Sequence, residues 1–187
     1  VEFRVNTATA YDQTHAAVVG LADGGFVVAY ADQLQDGSSY GSFAQRYDAG
    51  GNALGSYFQL NTYAAYEQYL PALAALRDDP ATAGSDETGF VAVWRSQYQD
   101  GSGTGIFGQR FNAAGEKLGS EFQVNTNFIG NQYNPTVATL ANGDFVVVWS
   151  DESDASVRGQ RYTAGGAAVG GEFVVNTPDF PSNQEQY

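Results

Sequence analysis

Between Phe90 and Arg95 the chain reads FVAVWR; the pattern recurs at Phe26 as FVVAYA and at Phe145 as FVVVWS. Nearly every position is apolar. A strand with one wet face alternates apolar and polar residues, whereas a run apolar throughout needs cover on both faces. The three runs therefore predict three buried strands, each inside a sheet stacked between others.

The stretches around them are of a different kind. EFRVNT at Glu2, YFQLNT at Tyr57, EFQVNT at Glu121 and EFVVNT at Glu172 alternate, so one face is wet. Short apolar stretches follow: AAVVGL from Ala16, PALAAL from Pro71 and PTVATL from Pro135. After each buried run comes an alternating Gln-Arg stretch, FAQRY from Phe43 or FGQRF from Phe107, and then a Gly-rich turn. No segment has a sustained helical period.

Asn6, Asn61, Asn125 and Asn176 mark the repeat, separated by 55, 64 and 51 residues. The second unit carries nine extra residues between Leu76 and Phe90 (64 against 55), and the third is four shorter between Trp149 and Gln160 (51 against 55). The units are read as 2–56, 57–120 with an insertion at 77–89, and 121–171, followed by a partial fourth, 172–187. Four strands per unit and a period near the roughly 40–50 residues of propeller blades predict an all-β fold of tandem four-stranded antiparallel repeats, β-propeller-like. A β-sandwich or stacked-sheet array is the alternative. Closed propellers take roughly 4–8 blades, and here a first strand stands at both ends. The expected partners are therefore self or further repeats of the same chain, joined through the terminal strands. The start at Val1 and the mid-unit end at Tyr187 point to a piece of something longer.

Composition narrows the class. The net charge of −13 argues against nucleic acid and anionic surfaces, which need basic patches. No apolar run approaches the ~20 residues of a membrane span, so no membrane insertion is expected. There is no Cys, hence no disulfide framework and no thiolate metal site. Bound cations are one alternative stabiliser.

The order EFQVNT, Q-x-x-P, FVVVW-x-S, QDGSG-x-G-I-x-GQRF and G-x-x-x-G-x-EF resembles repeats of large secreted bacterial proteins associated with calcium-binding RTX arrays. The resemblance covers nearly the whole chain. It implies an extracellular or cell-surface location, a structural or adhesive role and calcium as cofactor. The RTX nonapeptide G-G-x-G-x-D is absent, and the third unit reads DESDASVRGQRY in place of QDGSG.

Candidate chemistry sits in the connections. In QDGSS and QDGSG, Asp36 and Asp100 lie amid Gly and Ser, with Asp32 four residues before Asp36; Asp151 and Asp154 stand at the matching place in the third unit. Such loops supply the several oxygens calcium wants, yet Asp-Gly is also a common hairpin turn. The reading is turn first and calcium second. Tyr11, Tyr66, Tyr69, Tyr98 and Tyr133 cluster in polar connections, as in sugar-binding surfaces, or else pack between blades. Arg46, Arg110 and Arg161 are read as structural, pairing with carboxylates or carbonyls of neighbouring strands. His15, the one histidine, is read as a surface strand residue, and no triad or phosphate loop appears. The expected function is a non-enzymatic structural or adhesive module that self-assembles, with a lectin-like carbohydrate-binding module as the alternative.

Overall fold

A computed structural model describes residues 2–6, 10–77 and 88–176. Twelve strands form three four-stranded antiparallel sheets, with no helix among the described residues. The first sheet holds β1 (Gln13–Gly20), β2 (Phe26–Gln33), β3 (Tyr40–Tyr47) and β4 (Ala53–Gln59). The second holds β5 (Gln68–Leu76), β6 (Gly89–Gln97), β7 (Thr104–Asn112) and β8 (Lys117–Gln123). The third holds β9 (Gln132–Thr139), β10 (Phe145–Asp151), β11 (Ser156–Tyr162) and β12 (Ala168–Val174). Each is an up-and-down meander in chain order, and the leading strands β1, β5 and β9 lie side by side.

The stacking follows from the apolar runs. On β6, Phe90, Ala92 and Trp94 pack with Val27, Ala29, Ala44 and Leu60 of the first sheet. The intervening Val91 and Val93 pack with Val137, Phe145, Val147 and Trp149 of the third. The second sheet is thus buried on both faces. On β10 the outcome differs: Phe145, Val147 and Trp149 are buried, but Val146 and Val148 are only half-buried, because no sheet among the described residues covers their face.

The EF-x-x-N stretches change places relative to the sequence reading. Phe43 pairs with Gln59, Phe107 with Gln123 and Gly159 with Phe173, so each stretch closes the preceding sheet as its fourth strand. Alternation marks a strand with one wet face but does not say which neighbour it joins; the Gly-rich hairpin ahead of it does. The Asp48 N–H reaches the Asn52 carbonyl at 2.9 Å and folds β4 back on β3. Of the 77–89 insertion, residues 78–87 lie outside the described residues, as do 177–187 of the partial fourth unit.

Two devices join consecutive sheets. At the crossing from β8 to β9, Asn125 Oδ1 accepts the Ile106 N–H at 2.7 Å, and its amide donates to the Asn127 carbonyl and to Gln132 Oε1. Asn61 and Gln68 build the same corner between β4 and β5, anchored on the Ser42 N–H. The recurrent seven-residue Asn-to-Gln spacing is this buried corner. The second device is an arginine hook. Arg46 Nη1 donates to the Ala114 carbonyl of the next sheet, and Arg110 Nη1 to that of Ala164. Each hooked side chain lies against a glycine of positive φ: a Cβ on Gly115 would stand 3.0 Å from Arg46, and one on Gly166 3.0 Å from Arg110. Glycine is required there by backbone conformation and by space. Arg161 engages no further sheet among the described residues and pairs within its own sheet with Asp144, Nη2 to Oδ2 at 2.8 Å.

Candidate functional site

Antiparallel pairing sets the start of β1, the end of β2, the start of β3 and the end of β4 at one rim, since Gln13 pairs with Asp32, Gln33 with Tyr40 and Phe43 with Gln59. The crossings between sheets run along this rim, which also carries the QDGSS and QDGSG turns. All five candidate tyrosines lie on it. Tyr11, Tyr66 and Tyr98 are exposed, and Tyr66 and Tyr98 meet edge to face with centroids 5.1 Å apart. Tyr69 and Tyr133 are half-buried near the starts of β5 and β9.

Near the leading strands the rim is conformationally strained. His15, Leu70 and Asn134, at the same repeat position, have φ of 53°, 56° and 53°. Each sits where the ladder slips by a bulge. Such conformations cost of order 1–3 kcal/mol apiece and collect at functional sites. A cleft of about 280 Å³, lined by His15, Ala16, Leu70, Pro71, Asn134 and Pro135, opens where the three strands converge.

The seam between the first and second sheets gathers a cluster of aromatic and ionisable side chains. The Tyr69 ring lies 4.4 Å from His15 and 4.9 Å from Tyr40, with the Arg95 guanidinium 5.4 Å from its centroid. Arg95 Nη2 pairs with Glu67 Oε2 at 3.2 Å, and Ser39 Oγ approaches Glu67 Oε1 at 3.4 Å. Thr14 Oγ1 stands 2.8 Å from His15 Nδ1. The Tyr40 phenol is held above its ordinary value by desolvation first and then by the charges of Asp12, Tyr69 and Glu67. Two carboxylates thus act on one phenol from adjacent sheets.

These residues break the repeat. At the next seam the equivalent positions are Leu70 for His15, Thr104 for Tyr40, Asn131 for Glu67 and Ser150 for Arg95; Tyr133 alone keeps the identity of Tyr69. Reading the units for what recurs passes over His15, Tyr40, Glu67 and Arg95. Comparing aligned positions for what fails to recur would have found them.

The acidic candidates are engaged separately. Asp36 Oδ1 caps the Ser38 N–H and Asp100 Oδ1 the Ser102 N–H, as in hairpin turns. A Cβ on Gly41 or Gly105 would fall 2.6 or 2.5 Å from the other carboxylate oxygen, which explains the glycine these two units share where the third has Ser156. Asp151 is buried against Arg158 at 3.2 Å, and Arg158 also holds Glu172 and Asp154. Among the described residues, no group of three or more His, Asp or Glu gathers to hold a metal.

Asp32 is fully buried; Gln13 donates to Oδ1 at 3.1 Å, while Oδ2 has no partner. Burial raises its carboxyl above the ordinary 3.8. The folded protein therefore binds this proton more tightly than the unfolded chain. The associated penalty is absent below 3.8, grows as pH rises through the folded-state value and is constant above it. Asp32→Asn is expected to stabilise the fold at pH 7 by about 1 kcal/mol, or roughly 2–4 °C in Tm. Thermal melts should show the two proteins converging toward pH 4; an unchanged or lower Tm at pH 7 would contradict this account.

Compared with protein families and with curated proteins, the sequence matches none. Among solved structures, the fold is similar to an endo-arabinase from Bacteroides thetaiotaomicron VPI-5482, with a TM-score of 0.52 and 14% identity. That match covers 87% of this chain and 61% of the other, so the chain spans about three-fifths of its length. A protein of unknown function from Dyadobacter fermentans DSM 18053 is similar over 84% of this chain and 67% of its own, at 9% identity and a TM-score of 0.36. The endo-arabinase likeness is one of fold. It corrects the expectation of a chain that is not an enzyme, because this sheet arrangement is shared with one.

Proposed function

We propose that the chain is a glycan-recognising unit of a propeller-like array, with its site at the seam of the first two sheets. The observation that carries this reading is the clustering of Tyr40, Tyr69, His15, Glu67 and Arg95 at positions where the next seam has Thr, Tyr, Leu, Asn and Ser. Half-buried aromatic rings offer flat apolar faces to a sugar, and the fixed Glu67–Arg95 pair offers an acceptor and forked donors to its hydroxyls. The strained cleft beside them gives a polymer somewhere to lie. An endo-arabinase of similar fold makes a polymeric sugar the natural ligand class.

A second reading, hydrolysis, is favoured by the Asp12 and Glu67 carboxylates, whose charges both act on the Tyr40 phenol. Glycoside cleavage uses two carboxyl groups, one giving a proton to the leaving oxygen and one acting as base or nucleophile.

Titration calorimetry against a panel of soluble polysaccharides that includes arabinan tests binding. Tyr69→Ala is expected to lose at least about tenfold in affinity, and Tyr133→Ala, its counterpart at the other seam, to lose little. Absence of binding by the unaltered protein, or equal losses in both variants, would sink the reading. Release of reducing ends that disappears in Glu67→Gln would establish the hydrolytic version.

A further inference from the structure

The chain builds one kind of joint twice, and among the described residues its third and first sheets carry the two halves of another. In each internal joint a phenylalanine from the end of a fourth strand lies on an aromatic of the next sheet. Phe58 meets Phe111 at 5.8 Å and Phe122 meets Tyr162 at 5.3 Å. Beside it the arginine hook enters the glycine turn, Arg46 at Gly115 and Arg110 at Gly166.

The donor half of a third joint stands on the third sheet. Phe173 covers Gly159 as Phe122 covers Gly108, on the face that carries Val148 as the other carries Val93. In the second sheet that face is core. In the third it is open among the described residues: Phe173 is 44% exposed, Val175 55%, and the Arg161 side chain 46%.

The acceptor half stands on the first sheet. Phe26 stacks on Tyr47 at 4.9 Å, as Phe90 does on Phe111 and Phe145 on Tyr162. Gly51 repeats the glycine turn at φ 81°, and no arginine lies within 4 Å of where its Cβ would stand. Farther along the same face opens a cleft of about 230 Å³ lined by Val5, Gln13, His15, Val28 and Tyr30, and the buried Tyr30 hydroxyl has no partner among the described residues. The phenylalanine seat is held by the chain itself, with Phe3 on Tyr47 at 5.5 Å and Tyr47 Oη donating to the Val5 carbonyl at 2.8 Å.

We propose that the open face of the third sheet docks on the open face of the first sheet of a second copy, with Phe173 displacing Phe3 from Tyr47 and Arg161 entering the Gly51 turn. The occupant is a second copy because each end supplies what the other lacks, in the geometry the chain already uses internally. Association of this kind is head to tail. On the propeller-like reading, two copies of three sheets give six, within the roughly 4–8 that close a ring.

Sedimentation velocity of the 187-residue chain over a wide concentration range tests the proposal. A concentration-dependent dimer is expected. Val148→Glu, on the open face, should weaken it by more than about tenfold while leaving the melting curve of the monomer near that of the parent. Phe3→Ala should strengthen it, because the seat is then vacant; a residue that merely covered the first sheet would have no such effect. In a chain with no native cysteine, the double variant Ala49→Cys, Arg161→Cys should form an intermolecular disulfide on oxidation. A monomer at every concentration, a dimer indifferent to Val148→Glu, or association weakened by Phe3→Ala would each overturn the proposal. A glycan-binding failure leaves it untouched, since no rim residue of the glycan cluster is altered.

Discussion

Trp94→Ala is expected to destabilise the protein by about 3–5 kcal/mol, the range for deleting a large aromatic from a packed core. Trp94 is 0% exposed and sits in an inner strand of the middle sheet, against Val27, Ala29 and Ala44 of the first. The hole would open at the contact that joins two sheets, which can close only by moving against each other. Set beside a total stability of about 5–15 kcal/mol for a domain, that loss takes much of the margin. Trp94 Nε1 is buried without a partner among the described residues, so the side chain carries a desolvated donor as well as its bulk. Trp94→Phe should therefore cost much less than the alanine variant, since it keeps most of the ring volume and removes the orphaned N–H. Denaturant unfolding reads both. Equal losses in the two variants would show that the packing argument is mistaken.

The second large effect is expected at the buried corner. Asn125→Ala strands the Ile106 N–H and Gln132 Oε1, both in the interior, and releases the Asn127 carbonyl. A buried polar group left unmatched costs about 1–3 kcal/mol, so a loss of about 2–4 kcal/mol is expected. Gln132→Ala should be comparable, since Gln132 is fully buried and also holds the Ile129 carbonyl at 3.1 Å. The double variant should fall well short of the sum, because the two side chains share one bond. Additive losses in the double-mutant cycle would dissolve the corner as a unit.

Much of the fold is legible in the sequence. FVAVWR at Phe90 announces burial on two faces, and β6 has it. The same inference fails by one face at FVVVWS, where Val146 and Val148 stay half-exposed. A strand's composition records the cover it is built for, and the described residues supply only one side of it. The phase of the unit was not legible, because EFQVNT carries the signature of a half-wet strand and nothing that names its partner; the hairpin at Asn112 and Glu116 decides that. The candidate site divides in the same way. Tyr69 was visible as an aromatic in a polar connection. Glu67 and Arg95 were not, because each is unremarkable in its own segment and acquires meaning only when the crossing brings residue 67 beside residue 95.

Among the described residues, each sheet packs chiefly on the one before it and the one after it, and each is threaded from a single continuous segment. Cohesion then behaves as a line of adjacent couplings, in which an outer sheet is held on one side and the middle sheet on two. Opening should begin at the outer members and move inward, leaving the amide protons of β6 as the slowest to exchange with solvent. The glycan cluster lies on the seam between an outer member and the middle one, so its integrity follows the first coupling in the line rather than the stability of the whole.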